Sequence, residues 1–250
     1  MSDRTHQVVE LLQEVVRSES EASLLALSQL FETVSDHEAA SLLASPEVSQ
    51  IAAAVGKAYR RWVSIREEQD AQRLAQSKRH LLDEADGFAR RTYMRVQDLF
   101  VLESFEGVSN FVMVGCGPLP ATLLQILERT RVARVLGLDV RSEAVRAAAT
   151  LLSNYAERVE LLRRDGSDFD YAAWDFVYVA NLVENKAGVL AQIAQTAPQH
   201  VRVVVREPVG LGALVAEHGE SSLPAGFEVR HFGPREPRFA SRHMFLERRR

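Results

Sequence analysis

One stretch constrains this chain more than any other: Asn110-Phe111-Val112-Met113-Val114-Gly115-Cys116-Gly117-Pro118-Leu119-Pro120. A short apolar run ends in Gly-x-Gly, and an amphipathic helical pattern follows at once. Glycine lets the backbone take positive φ and lets a ligand approach where a Cβ would stand. The helix behind the turn points free N–H groups at that ligand. Further on, Arg134-Val135-Leu136-Gly137-Leu138 reads as a second strand that ends at Asp139. An acid at that tip can accept both ribose hydroxyls of an adenosine. Three readings stay open on these residues. One is a bare strand-to-helix turn with no nucleotide. The second is NAD, although Pro118 and Pro120 disturb the third small-residue position, where helix and strand must pack closely. The third, preferred, is S-adenosylmethionine, which has no pyrophosphate and demands less of the turn.

The rhythm around this stretch gives the fold class. Strands are expected at 110-114, 133-138, 158-163, 175-180 and 201-206, with helices at 119-130, 142-154 and 186-197. Alternation of this kind implies a parallel, doubly wound α/β sheet with right-handed crossovers. Residues 226-232 and 242-247 read as two more strands, suited to an antiparallel edge. Upstream, no strand is expected. Val8, Val9, Leu11, Leu12, Val15 and Val16 recur with helical spacing, as do Leu24, Leu25, Leu27, Leu30, Phe31 and Val34. Ser35 and Asp36 suit the start of a third helix, and Ser45-Pro46-Glu47 that of a fourth. The fourth helix should place Val48, Ile51, Ala52, Val55, Tyr59, Trp62 and Ile65 on one face. Gly87 should break the chain before a last helix carrying Phe88, Tyr93, Val96, Leu99, Phe100 and Leu102. The division expected is therefore an N-terminal helical bundle or lid, 1-106, and a Rossmann-like domain, 107-250.

Composition narrows the partners. The net charge of −4 gives no reason to expect nucleic acid, and no apolar run approaches the length of a membrane span. Cys116 is the single cysteine, so neither an intrachain disulfide nor a cysteine metal cluster is available. The histidines show no metal spacing, and no metal is expected. The Met-Ser-Asp-Arg start lacks a signal-peptide core, so a cytoplasmic protein is expected. Its partner should be a small-molecule substrate, with a homodimer left open.

Ligands of open α/β sheets sit beyond the carboxyl ends of the strands. That rule selects Gly115 to Leu119, Asp139-Val140, Asp165-Gly166 and the run Tyr178 to Asn185. Asp165 can accept an adenine amino group or simply cap a turn. Tyr178 and Asn181 can face the reacting end of the ligand, although sheet packing explains Tyr178 equally well. Arg206 and Glu207, after the fifth strand, can hold a carboxylate and an amine or form a surface ion pair. Cys116 reads as a small turn residue rather than a nucleophile.

The segment Phe111-Val112-Met113-Val114-Gly115-Cys116-Gly117-Pro118-Leu119-Pro120-Ala121-Thr122 resembles the signature of nicotianamine synthases, which carry Gly-x-Gly-Pro-Leu-Pro-x-Thr after the first strand. The resemblance extends through Leu138-Asp139-Val140, Asp165 and Tyr178-Val179-Ala180-Asn181-Leu182-Val183, and covers most of residues 88-250. It implies a helical domain closing over a Rossmann-like one, transfer of the aminocarboxypropyl arm of S-adenosylmethionine, and departure of methylthioadenosine. Relatives of that kind include opine-metallophore synthases, with histidine as acceptor, and enzymes that cyclise the arm to azetidine-2-carboxylate. The family's Phe-Pro-Tyr-Tyr-x-Asn-Tyr segment is reduced here to Ala89-Arg90-Arg91-Thr92-Tyr93-Met94-Arg95-Val96, which retains only Tyr93. A smaller acceptor, or none, is implied.

The site expected for the cofactor is Gly115, Cys116, Gly117, Pro118, Leu119, Asp139, Val140, Asp165, Gly166, Ala180, Asn181 and Leu182. The catalytic candidates are Tyr93 and Tyr178 against the sulfonium, Asn181 on the amine and Arg206 on the carboxylate. Ring closure is the leading expectation. Transfer to a small amine, with Glu84 as candidate base, stands second, and ordinary methyl transfer third. A protein that binds the cofactor as a sensor is the non-enzymatic alternative.

Overall fold

The computed structural model describes residues 3–83, 88–234 and 240–249. Gly87 and Glu84 lie outside them. Four helices come first: α1 (Asp3–Ser18), α2 (Glu21–Thr33), α3 (Asp36–Leu43) and α4 (Pro46–Ser77). Serine caps start three of them. Ser20, Ser35 and Ser45 accept hydrogen bonds from the backbone N–H three residues on, at 3.2, 3.3 and 3.2 Å. Glu38 completes a capping box by accepting from Ser35 N at 3.0 Å. Proline takes the first turn of α4, where its missing N–H costs nothing.

The buried stripe of α4 explains how the helix serves two neighbours. Val48, Val55, Ala58, Tyr59, Trp62 and Val63 pack against α1–α3 and against Leu211, Leu214 and Val215. Further along, Ala71 and Leu74 pack into the core under the sheet. Ile65 departs from expectation: it is 45% exposed, because the stripe rotates past it toward Asp70 and Ala71. The expected last helix also divides, into α5 (Phe88–Met94) and α6 (Leu99–Leu102). Between them the chain tightens into i+3 bonds, such as Leu99 N to Val96 O at 3.1 Å.

The sheet then runs as β1 (Asn110–Val114), α7 (Ala121–Arg129), β2 (Arg134–Asp139), α8 (Ser142–Leu151), β3 (Val159–Arg163), β4 (Phe176–Val179), α9 (Lys186–Thr196), β5 (Arg202–Pro208), β6 (Phe227–Phe232) and β7 (Ser241–Arg248). Seven strands lie in the order β3-β2-β1-β4-β5-β7-β6. The first five are parallel; β7 pairs antiparallel with β5, and β6 with β7. This is the expected doubly wound α/β sheet with an antiparallel edge and a helical N-terminal region. Alternate residues of β1 serve opposite cores. Phe111 and Met113 face α5, α6 and α7, whereas Val112 and Val114 face α9. Phe176 stacks on Phe105 and Phe111 at 5.1 and 5.3 Å on the first face. Asp175 accepts from Ser109 N and Asn110 N at 2.9 and 2.8 Å and so fixes where β1 begins. Strand order reverses between β1 and β4, the place where such sheets open a ligand crevice.

Candidate active site

The crevice is a cavity of about 790 Å³ bounded by the ends of β1, β2 and β4 on one side and by α2 and α4 on the other. Gly115 (φ 76°) and Gly117 (φ 65°) make its floor. Both are in the left-handed region that side chains rarely adopt. Gly115 N and Cys116 N donate to Leu138 O at 2.8 and 2.9 Å, which ties the turn to β2. Asp139 finishes the job. Its Oδ2 accepts from Gly117 N at 2.9 Å and its Oδ1 from Arg141 N at 3.0 Å. Each oxygen keeps a second lone pair for a ligand.

Most of the expected cofactor residues meet here. Gly115, Cys116, Gly117, Leu119, Asp139, Val140, Asp165, Gly166, Ala180, Asn181 and Leu182 all line the cavity. Pro118 lies within the turn but not on the cavity wall. Asp165 has the capping role too: its Oδ1 accepts from Ser167 N and Ser167 Oγ, both at 2.8 Å. Asn181 carries a buried Oδ1 with no partner among the described residues. A buried acceptor left so is costly, and a donor on a bound ligand would satisfy it. Burial, and then the charge of Asp139, push the Cys116 thiol up, in keeping with a turn residue rather than a nucleophile.

The catalytic expectations fare less evenly. Tyr178 lines the cavity. Tyr93 does not: its hydroxyl donates to Glu128 Oε2 at 2.9 Å and its ring stands edge-on to His80, inside the core under the sheet. Arg206 lines the cavity, yet its fork is committed elsewhere. Nη1 donates to Arg95 O at 2.9 Å and approaches His243 Nε2 at 3.4 Å. Nη2 donates to Ser241 O and Ser241 Oγ at 3.2 and 2.6 Å. With four N–H groups engaged, it cannot clamp a carboxylate bidentately. Glu207 is turned the other way, accepting from Gly219 N at 2.8 Å and pairing with His218 at 2.8 Å.

A residue that sequence reasoning missed stands at the centre. Glu67 of α4 reaches the Gly-x-Gly turn: a Cβ built on Gly117 would lie 2.9 Å from Glu67 Oε2. Its side chain lines the cavity and is half-buried. Burial raises its pKa to about 8, against the lowering pull of Arg95 and Arg141. The available signal was positional. Glu67 stands four residues after Val63 and four before Ala71, so a charge occupies the apolar stripe of α4. Arg95 was missed too; burial lowers its pKa, and it lines the cavity beside Thr92 and Val96.

Two straps hold α4 across the opening. Arg141 hydrogen-bonds Ser64 and reaches Glu68 at 3.3 Å. Arg60 pairs with Glu184 at 3.0 Å and donates to Val215 O at 3.1 Å. Among the described residues, no group of three or more His, Cys, Asp or Glu side chains could hold a metal ion, and no helix is long and apolar enough to cross a membrane.

No protein-family model matches the sequence, and no curated protein matches it either. Solved structures do resemble it. A mutant of the nicotianamine synthase MtNAS superposes with a TM-score of 0.77 at 17% identity, covering 98% of this chain and 97% of that one. MtNAS in complex with MTA and tNA gives a TM-score of 0.78 at 17% identity over 99% and 98% of the two chains. The mitomycin 7-O-methyltransferase MmcR is more distant, with a TM-score of 0.52 at 16% identity over 88% and 74%. What the chain shares with MtNAS at this identity is a fold, along nearly the whole length of both.

Proposed function

We propose that this chain is an enzyme that binds S-adenosylmethionine in the cavity and transfers its aminocarboxypropyl arm to an amine nitrogen, releasing methylthioadenosine. One observation carries the reading: the Glu67 carboxyl, delivered by the helical half, lies against Gly117 of the turn, where burial raises its pKa to about 8. A base with a pKa near neutrality is what proton removal from an attacking amine requires. The residues on the wall suit the cofactor. Asp139 keeps lone pairs for ribose hydroxyls, Gly115 and Gly117 leave room for the chain of atoms that follows, and Asn181 Oδ1 awaits a donor. The likeness to MtNAS, which has been solved with S-adenosylmethionine and with MTA and tNA, supports the same reading.

The chemistry is a displacement at the carbon next to sulfur. The amine nitrogen forms a C–N bond there, the C–S bond breaks, and sulfur keeps the electron pair as the neutral thioether of methylthioadenosine. The proton lost by nitrogen goes to Glu67. An ionised Glu67 also faces the cationic sulfonium, which stabilises the bound cofactor before reaction and leaves the base charged for its task. Arg91 and Arg95 line the cavity and add positive charge on the side where the arm's carboxylate would lie.

Two outcomes fit this machinery. Ring closure to azetidine-2-carboxylate uses the arm's own amine and needs no further space. Transfer to a separate small amine, such as histidine, needs an annex. The cavity has one: it runs on beneath α2 and α4, where Ser28, Glu32, Lys57 and Arg60 line it. That extension favours an acceptor that carries a carboxylate. The test is incubation of the pure protein with S-adenosylmethionine, alone and with single amino acids, with products identified by mass spectrometry. Methylthioadenosine formed only with an added amine means transfer, and its formation with azetidine-2-carboxylate in the absence of amine means cyclisation. S-adenosylhomocysteine with a methylated acceptor would overturn the proposal, and tight binding without turnover under every condition would point to a sensor.

A further inference from the structure

The middle of α4 is anchored differently from its ends. The buried apolar residues that it lends to the helical core end at Val63, and those that it lends to the core under the sheet begin at Ala71. Residues 64–70 supply nothing to either core, and Ile65, the one apolar side chain among them, is exposed. A stretch of helix without a buried apolar anchor is held by its polar contacts. Glu67 lies in this stretch, and no hydrogen bond from another described residue is among the influences on its carboxyl.

From the sheet half, Arg141 reaches it. Its Nη1 hydrogen-bonds Ser64 Oγ and lies 3.3 Å from Glu68 Oε1. Ser64 Oγ also lies 3.3 Å from Glu68 Oε1, so guanidinium, hydroxyl and carboxylate form one cluster. Ser64 stands one turn before Glu67, and Glu68 directly follows it. The other end of Arg141 belongs to the seat. Its backbone N donates to Asp139 Oδ1 at 3.0 Å, and its Nε lies 3.7 Å from the same oxygen. One residue thus spans from the β2 edge to the helical turn that carries Glu67. On the far side of that turn, Arg66 pairs with Glu21 of α2 at 2.6 Å.

We propose that Arg141 is a positioning residue for Glu67: by holding Ser64 and Glu68 it sets the base at the Gly-x-Gly turn, and by touching Asp139 it ties that placement to the seat of the cofactor. The inference rests on the reading of Glu67 as the base. Arg141 brings a charge as well. Desolvation raises the pKa of Glu67; Arg95, just beyond α5, and then Arg141 lower it, while Asp139 and Asp70 raise it. Tyr59 and the Cys116 thiol also feel the Glu67 charge. Loss of the guanidinium should leave less of Glu67 ionised at a given pH and let its turn of helix shift. A displacement of about 1 Å can cost about 100-fold in rate.

The experiment is a double-mutant cycle of Arg141→Gln with Glu67→Gln. It is read as the single-turnover rate of methylthioadenosine release across pH, with S-adenosylmethionine and, where release requires it, the amine. Arg141→Gln should move the rise of rate with pH to higher pH. At the alkaline plateau, where Glu67 is ionised in both proteins, the rate should still lie about 10- to 100-fold below the wild type. Arg141→Lys, which keeps the charge, should bring the pH midpoint back. Ser64→Ala, which loosens the contact from the helix side, should lower the plateau and leave the midpoint in place. In a Glu67→Gln background Arg141→Gln should subtract little more, because the base it serves is gone. Additive losses, or an Arg141→Gln profile that coincides with the wild type, overturn the inference and leave the reading of Glu67 intact. A Glu67→Gln protein as fast as the wild type sinks that reading and this inference with it. Carbon NMR of the labelled Glu67 carboxyl needs no turnover: its titration midpoint should lie higher in Arg141→Gln, and an unchanged midpoint overturns the inference.

Discussion

Two carboxylates flank Gly117, and their surroundings differ. Asp139 comes from the sheet and accepts two backbone N–H groups, which shapes the turn and still leaves each oxygen a lone pair for a ligand. Glu67 comes from the helical half, and desolvation dominates its titration, lifting it to about 8. The sheet edge thus supplies a rigid seat built from backbone, whereas the helices supply a group whose charge responds to what is seated. A cavity made between two such walls can hold a ligand with one side and act on it with the other.

That contrast can be broken at either wall. Glu67→Gln keeps size and removes the base; kcat should fall by about 10²–10⁴-fold while S-adenosylmethionine still binds, measured by single-turnover kinetics and calorimetry. A variant with unchanged kcat would return Glu67 to the role of lining. Asp139→Ala should act in the opposite sense. It strands two backbone N–H groups, costing about 2–4 kcal/mol of stability, and it should weaken cofactor binding before any effect on chemistry. Normal affinity in Asp139→Ala would remove the seat from the β2 edge.

The pH dependence sharpens the same comparison. In the unfolded chain Glu67 titrates near 4.5, and in the folded protein near 8. Between those values the folded state holds a proton that the unfolded state has released. Stability should therefore be fully present below about pH 4.5 and decline as pH rises through 8, for this group alone. Glu67→Gln should flatten that part of the curve in chemical denaturation between pH 5 and 8. The smallest effect belongs to the strap from Arg60 to Glu184, whose carboxylate is largely exposed. Glu184→Ala, which removes only the pair, should cost less than about 1 kcal/mol in thermal unfolding.

The sheet was readable because its signals are local. Apolar runs of the right length, Gly-x-Gly at the end of one and an aspartate at the end of the next need no knowledge of distant residues. The floor of the cavity, Gly115 to Leu119 with Asp139, follows from those signals. The opposite wall does not, since it depends on how α4 crosses the sheet. Glu67 lies in a run of charged residues, and only its place on the apolar stripe sets it apart. Arg206 was located at the right strand end, but its neighbours Arg95, Ser241 and His243 come from elsewhere in the chain, and they decide that its fork is occupied. Tyr93 is placed off the cavity wall for a similar reason, because Glu128 on α7 takes its hydroxyl to the other side of the helix pair.

The insertion of β7 between β5 and β6 has a consequence for biosynthesis. The strand that bears Ser241 and His243 leaves the ribosome after every other element of the sheet, yet it docks against the interior of the sheet rather than its rim. Until it does, β5 has an unpaired edge, Arg206 lacks three of its acceptors and Tyr178 lacks the His243 nitrogen beside its hydroxyl. A nascent chain can complete its helical bundle and its first four strands early and still be unable to present a finished catalytic wall. Competence arrives with the last strand, so a polypeptide cut short before Ser241 should be both inactive and prone to pair its open edge with a neighbour.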